Sequence, residues 1–305
     1  MPQQISVRVP ATSANLGCAF DCAALALSLY LNVHVTPRPD DTVTVGYRGV
    51  TPERIPTDEN NLIARTISET LREWKHFRGF DLEIENQIPV GVGLGSSAAA
   101  IVAALAVCHW MADEALSDEQ LLSMASRLEG HPDNAAAAWH GGFTVALQDR
   151  GRVFAMSCPV PDSLELVLVV PDYALSTEKA REVLPAQYSR QDAVYNLQRA
   201  VALAAQFFSG KVDCCRTLFD DRWHQPYRSP LVPGLAEVLT LKHPDLLGVV
   251  LSGAGPSVLG FARDSSREIG ESIRQTLAEH GVKAEVYKIA ADNLGAKNWN
   301  IPAEV

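Results

Sequence analysis

The sequence predicts an α+β protein of two domains, and three observations carry that prediction. The chain has 305 residues, 47% of them hydrophobic, enough to bury a substantial core. Segments that alternate apolar and polar residues, the period of a half-buried strand, are interleaved in both halves with segments of helical character. One stretch, Pro89 to Ala100, joins a strand pattern to a helix pattern through glycines at alternate positions, Gly91, Gly93 and Gly95.

Composition narrows the function. A net charge of −10 argues against nucleic acid or an anionic membrane as the main partner, because both require extended positive fields. An anionic substrate must therefore be held by local groups. The six cysteines, Cys18, Cys22, Cys108, Cys158, Cys214 and Cys215, show neither C-x-x-C spacing nor a disulfide framework, which points to reduced thiols in a cytoplasmic protein. No signal-peptide pattern is visible, and the longest apolar run, Ala98 to Cys108, is too short to span a bilayer.

Taken in order, Ile5 to Val9 alternates like an opening strand and should stop at Pro10. Ala11 to Gly17 reads as a loop of small polar residues, either a capped turn or a ligand loop in which Asn15 and Asp21 present polar groups. The apolar run Ala23 to Leu31 fits a strand or a short helix. Asn32 to Pro37 and Thr42 to Tyr47 read as strands around a turn at Pro39-Asp40-Asp41. A helix follows from Leu62 to Trp74, with Asp58 or Asn60 as its N-cap. Asn61 is left to turn its amide toward a base, since an amide offers both donor and acceptor.

Phe80 to Glu85 alternates as a strand, and Pro89 follows it. Ala98 to Met111, rich in Ala, Leu, Ile and Val, predicts a mostly buried helix entered near Ser96 or Ser97. The glycine-rich turn thus sits at a helix N-terminus, where unpaired N–H groups and the positive end of the helix dipole favour an anion. Three readings of it compete: a plain connection, a dinucleotide fingerprint, and a nucleoside-triphosphate loop. The fingerprint would have its acidic residue at Asp113 or Glu114, but no second strand precedes them. A Walker-A loop is excluded, because no lysine is present.

Ser117 to Gln120 is a capping-box-like start for a helix to Leu128. Glu129-Gly130-His131-Pro132-Asp133-Asn134 then concentrates two carboxylates, an imidazole and an amide before a helical turn at Ala135 to Trp139. Beside a triphosphate loop, Glu129 and Ser97 suit Mg²⁺, a hard cation that takes one or two protein oxygens plus water. His140 to Leu147 is a return strand, Gln148 to Arg152 a turn, and the domain boundary is set at 155/156.

The second half reads as strand Leu164 to Val170, helices Thr177 to Leu184, Gln191 to Phe208 and Asp213 to Leu218, and strand Leu246 to Leu251. Leu251 to Ser257 is a second small-residue loop leading into Val258 to Phe261, a plain hairpin turn as a lone motif or, paired with the first loop, a cover over phosphates or substrate. Helix Ser265 to His280 and strand Lys283 to Ile289 close the pattern. This mixture suggests an α+β plait. Lys179 and Arg181 fit solvated helix charges, whereas Arg228, between Pro226 and Pro230, suits a positioned arginine.

Three motifs, Pro10 to Gly17, Gly91 to Ala98 and Leu251 to Pro256, occur in the order found in the GHMP small-molecule kinases. With Phe20-Asp21, Glu129 to Asn134 and Ser176 to Arg181, the sequence resembles the homoserine kinases of that superfamily over nearly its whole length. It departs from them at Cys18-Ala19, where Pro-Gly is usual, and at Ala135 to Ala138, where Val-Ala-Pro-Ala is common.

The resemblance implies an N-terminal ATP-binding domain, residues 1–155, with the ribosomal protein S5 domain 2-like fold, a five-stranded sheet and a left-handed β-α-β unit. It implies a ferredoxin-like plait for 156–305. It also implies ATP and Mg²⁺, phosphorylation of the L-homoserine hydroxyl in threonine biosynthesis, and a homodimer. Pro89, Gly91, Val92, Gly93, Leu94, Gly95, Ser96 and Ser97 would wrap the triphosphate, and Asn61 would face adenine. Ser97 and Glu129 would hold Mg²⁺. Asn15 and Asp21 would meet the amino group and hydroxyl of the substrate, Arg181 and Arg228 its carboxylate, and His131, Asp133 and Asn134 would line the same pocket. Asn15, His131 and Asp133 are the catalytic candidates, with Asp133 orienting or deprotonating the hydroxyl. The competing readings are a sister kinase for a mevalonate- or shikimate-like alcohol, a non-catalytic binding protein of the same fold, and a dinucleotide-dependent oxidoreductase.

Overall fold

The computed structural model describes residues 4–112, 116–211 and 216–298. Its first part contains β1 (Ile5–Ala14), β2 (Ala23–Pro37), β3 (Val43–Gly49), α1 (Leu62–Glu73), β4 (Phe80–Asn86), α2 (Ser96–Ala112), α3 (Asp118–Glu129), α4 (Asp133–His140), β5 (Phe143–Asp149) and β6 (Arg152–Cys158). These strands form one sheet in the order β3-β4-β2-β5-β6, with β1 paired along β2. β3 and β4 run parallel across α1; the other pairs are antiparallel. α2 is buried on nearly all sides, as its uncharged sequence requires.

The second part contains β7 (Glu165–Pro171), α5 (Thr177–Glu182), α6 (Arg190–Phe208), α7 (Gln225–Arg228), α8 (Leu235–Val238), β8 (Leu246–Leu251), β9 (Val258–Ala262), α9 (Ser266–Glu279), β10 (Ala284–Ile289) and α10 (Gly295–Asn298). Its antiparallel sheet has the order β10-β7-β9-β8, which is the strand order of a ferredoxin-like plait. β7 is covered on both faces. Val167 and Val169 pack with Ile269, Ile273 and Leu277 of α9, while Leu166, Leu168 and Val170 join the core shared with the first sheet.

Several sequence expectations change. β1 runs through Pro10 with a register shift between Pro10 and Ala11, so Ala11 to Ala14 are strand and the loop begins at Asn15. Ala23 to Pro37 is one long strand, because β1 pairs with most of its length. The polar turn near Arg150 is the tip of a hairpin whose second strand, β6, makes the sheet six-stranded rather than five-stranded. The boundary set at 155/156 falls inside β6; the chain crosses to the second sheet between Cys158 and Glu165.

The C-terminal segment also returns to the first sheet. β5 and β4 pair with residues 23–25 and 31–37 of β2, leaving the middle of that edge open. There the Ser28 N–H donates to the Ala290 carbonyl, and the Asp292 N–H donates to that of Ala26. Asp113, Glu114 and the first part of the helix expected from Asp213 lie outside the described residues, as do Cys214 and Cys215. Arg216–Phe219 is a short 3₁₀ turn.

Candidate active site

A cleft of about 230 Å³ lies between the two sheets, with the glycine loop as one wall. Gly91, Gly93 and Gly95 have φ of 76°, 83° and 65°, the left-handed region in which glycine carries no steric cost. A Cβ on Gly93 would overlap the Ser252 carbonyl oxygen, and one on Gly95 would overlap Thr12 Oγ1. The small residues Thr12 to Ala14 on β1 let the loop approach this closely.

The carbonyls of the loop are consumed by other elements. Gly91 O accepts from Leu175 N, Val92 O from Ser257 N, Gly93 O from Ser252 Oγ, and Leu94 O from Thr12 N. Among the described residues, none of the N–H groups from Gly91 to Ser97 donates to another protein group. The loop therefore turns its acceptors inward and offers its donors, at the N-terminus of α2, to an anion. That donor set fits a polyphosphate. The second small-residue loop braces this cradle, since the Gly93 and Val92 bonds end on Ser252 and Ser257, and its Gly253 and Ala254 line the cleft.

Ser97 Oγ donates to Glu129 Oε2 at 2.7 Å. Glu129 stands at the end of α3, which Gly130 stops in the left-handed conformation. Burial raises the Glu129 pKa, and the Ser97 hydrogen bond only partly offsets this. A hydroxyl and a buried carboxylate in contact fit a hard divalent cation.

Asp133 is the first residue of α4 and is almost fully buried. Its Oδ1 meets His131 Nδ1 at 2.5 Å and accepts the Asn134 N–H at 2.7 Å. Among the described residues Oδ2 takes no hydrogen bond. Burial opposes charging of His131, but the hydrogen bond and charge of Asp133 outweigh it and raise the histidine's pKa. Asn134 Oδ1 accepts from Thr12 Oγ1 at 2.7 Å, tying α4 to β1.

Asn15 and Asp21 both have positive φ, 71° and 54°. Asn15 Oδ1 accepts the Asp21 N–H at 3.0 Å, and its Nδ2 donates to Gly253 O at 2.9 Å, so Asn15 fixes the turn that presents Asp21. Arg181 Nη1 and Nη2 donate to the two Asp21 carboxylate oxygens at 3.0 and 2.7 Å. Arg181 is held by α5, whose N-cap Ser176 accepts from Lys179 N; it is a cleft residue, not a solvated helix charge.

Arg228 is 1% exposed and stands on α7 rather than in a loop between prolines. Its Nε donates to Ala180 O and its Nη1 to Gly253 O, both at 3.0 Å. Burial, with the neighbouring Arg181 charge, lowers its pKa to about 10. A buried guanidinium bonded only to neutral groups on the wall of a cleft suits an anion.

Two expectations fail locally. Asn61 is itself the N-cap of α1: its Oδ1 accepts from Ile63 N and Ala64 N, and its Nδ2 donates to Pro56 O. Asp58 instead accepts from Asn60 N in the preceding turn. Asn61 still lines an adjoining cavity of about 210 Å³ with Tyr47, Ile55 and Pro56, which meets the first cleft at Val90, Ser96 and Ser97. Pro89 does not line the main cleft, and Val92 is buried in the core. Sequence reasoning missed the roles of Thr12 and of Gly253, although both lie in the small-residue motifs.

Relatives share this organisation from end to end. The chain is 42% identical over 281 residues to the homoserine kinase of Solibacter usitatus, covering 92% of each, and 40% identical over 299 residues to that of Desulfitobacterium hafniense, covering 96% of this chain and 99% of the relative. The chain belongs to the homoserine kinase family. Within that family, the crystal structure of homoserine kinase from Cytophaga hutchinsonii matches 97% of each chain with a TM-score of 0.84 at 26% identity. The model of the GHMP kinases N terminal domain matches residues 61–142, the span that holds the glycine loop, Glu129 and Asp133. Lactococcus lactis galactokinase, 16% identical with a TM-score of 0.67, shares the fold. As a member of that family, the chain is a kinase.

Proposed function

We propose that the chain transfers the γ-phosphoryl group of ATP to the side-chain hydroxyl of L-homoserine, giving O-phospho-L-homoserine for threonine biosynthesis. The carrying observation is a single cleft that offers unpaired main-chain donors at one end and opposite side-chain charges at the other. Homoserine is a zwitterion, and the substrate end has a group for each charge.

The N–H groups of Gly91 to Ser97 bind the triphosphate, and the apolar cavity beside Asn61 takes the adenine. Glu129 and Ser97 would hold Mg²⁺, which when bound neutralises charge on the phosphate oxygens. Asp21, on the turn set by Asn15, receives the substrate ammonium; Arg228 and Arg181 receive the carboxylate through planar donor forks. Asp133 accepts the hydroxyl proton at Oδ2, the atom its local hydrogen bonds leave open. His131 holds Oδ1, and Asn134 fixes α4 against β1. Phosphoryl transfer depends more on position and charge neutralisation than on covalent chemistry, which suits a site of such fixed groups.

A coupled ADP-release assay across L-homoserine, mevalonate and shikimate tests the reading. Turnover with L-homoserine is expected; comparable turnover with either of the other alcohols would overturn the substrate assignment. Absence of ADP release with every alcohol would favour a non-catalytic binding protein. The reading also includes a cytoplasmic enzyme that assembles as a homodimer, a state that light scattering on the purified protein checks. Among the described residues no helix is long and apolar enough to cross a membrane.

A further inference from the structure

Behind the substrate end lies a buried group that the reaction just described does not use. His224 is fully buried at the start of α7, four residues before Arg228. Asp221 holds its backbone: one carboxylate oxygen accepts from His224 N at 2.9 Å and Gln225 N at 2.6 Å, the other from Trp223 N and Asn196 Nδ2, both at 2.7 Å. The α7 turn is thereby fixed before any side chain is considered.

The ring contacts define its protonation. His224 Nε2 lies 2.8 Å from Gly17 O and 3.5 Å from Asp221 Oδ2, atoms that only accept, so Nε2 carries the proton. Nδ1 lies 3.3 Å from Arg228 Nη1, an atom that only donates, so Nδ1 presents its lone pair. Both partners are satisfied only by the neutral Nε2–H ring. Burial lowers the histidine's pKa in the same direction. The ring also stacks on Phe20, with centroids 5.4 Å apart, and the Arg228 guanidinium carbon lies 5.4 Å from the Phe20 centroid. One imidazole thus touches the strained loop that carries Asn15 and Asp21 and the arginine across the pocket from it.

We infer that His224 is a positioning residue for substrate recognition: through its two ring nitrogens it couples the Gly17 turn to Arg228 and aims the free edge of that guanidinium at the substrate carboxylate. The inference rests on the assignment of Arg228 to that carboxylate. Nε and Nη1 are held by Ala180 O, Gly253 O and His224, which leaves Nη2 as the atom that reaches the ligand. Loss of the imidazole lets the guanidinium and the loop drift apart without removing either charge.

The test uses H224F, which retains the stacking ring but neither nitrogen, and H224Q, which retains a donor for Gly17. Each is assayed with L-homoserine and with 3-aminopropan-1-ol, the same amino alcohol without its carboxylate. H224F is expected to raise the KM for homoserine about tenfold, the scale of one hydrogen bond to a charged group, with kcat and the KM for ATP little changed. Preference for homoserine over 3-aminopropan-1-ol should fall by a similar factor, and less in H224Q. In R228M the preference should collapse, and adding H224F to R228M should change it no further. A preference within twofold of the wild type in a folded His224 variant overturns the inference. So do parallel losses for ATP and homoserine, additivity with R228M, or failure of both His224 variants to fold. If R228M itself keeps the preference, the Arg228 assignment fails with it; if R228M loses the preference and H224F does not, only the His224 role fails.

Discussion

The end of the cleft proposed for phosphate is walled by one run of chain, Val90 to Ser97, whereas the end proposed for the substrate is made of side chains from separate segments around Asn15, Asp133, Arg181 and Arg228. The first is sensitive to adding atoms and indifferent to most side chains. The second is sensitive to removing charges and hydrogen-bonding atoms. The phosphate end presents donors because its carbonyls are already spent on β1, Leu175 and the Ser252 loop. At the substrate end, opposite charges are already close: Asp21 and Arg181 form a bidentate pair, while Arg228 is bonded only to neutral groups. A zwitterion can exchange with such a pair at modest electrostatic cost, since each charge it displaces from a partner regains one of the same sign.

Four expected outcomes break or sharpen this contrast. The largest belongs to the substrate end. D133N keeps shape but removes the proton acceptor, and kcat should fall about 10²–10⁴-fold with little change in the KM for ATP. A loss below roughly tenfold would exclude a base role and leave Asp133 as an orienting group. At the phosphate end, G93A should reduce kcat/KM for ATP by roughly 10²–10³-fold, a loss like that of a main-chain donor site, because its Cβ overlaps the Ser252 carbonyl. Normal ATP kinetics in G93A would show that the cradle adapts and that the contrast is false.

Where the two ends meet, Glu129 should set a pH dependence. Its folded pKa is raised by burial, and cation binding needs the carboxylate. Apparent Mg²⁺ affinity should therefore be full well above that pKa and decline as pH falls through it, within the range above the ordinary glutamate value. E129Q should bind Mg²⁺ more weakly and lose this pH dependence; magnesium titrations of both proteins at several pH values decide it. The smallest effect is at the adenine side. N61A should lower unfolding stability by about 1 kcal/mol, the usual loss for an N-cap, as measured by denaturant titration. A large rise in the KM for ATP without loss of stability would instead mark Asn61 as a base contact.

The legibility of the sequence divides along the same line. A main-chain site needs consecutive residues of special conformation, and three alternate glycines before Ser96-Ser97 are visible in a one-dimensional string. The helix cap at Ser117 was likewise legible, because it depends on a partner three residues away. Pro10 misled, since a bulge in a strand paired with long β2 accommodates its missing N–H. The N-cap of α1 was misplaced at Asp58 or Asn60 for a related reason: only coordinates show that the Asn61 side chain caps the helix while it also lines a cavity. β6 and the returning C-terminal segment were hidden because each is defined by a pairing partner remote in sequence.

The sequence by itself determined the α+β class, most helices and strands, the glycine-rich turn at a helix N-terminus, and the inventory of charges available for a zwitterion. Those follow from local periodicity, capping and glycine placement, which act over a few residues. Only the tertiary structure decided which charges face one another: that Asp21 meets Arg181, that Glu129 meets Ser97, and that His224 stands between Gly17 and Arg228. The partners in each of these contacts are fixed by the packing of the two sheets, or by the register of a buried turn, rather than by composition. A hydrogen bond across 207 residues, such as that from His224 to Gly17, has no local signature.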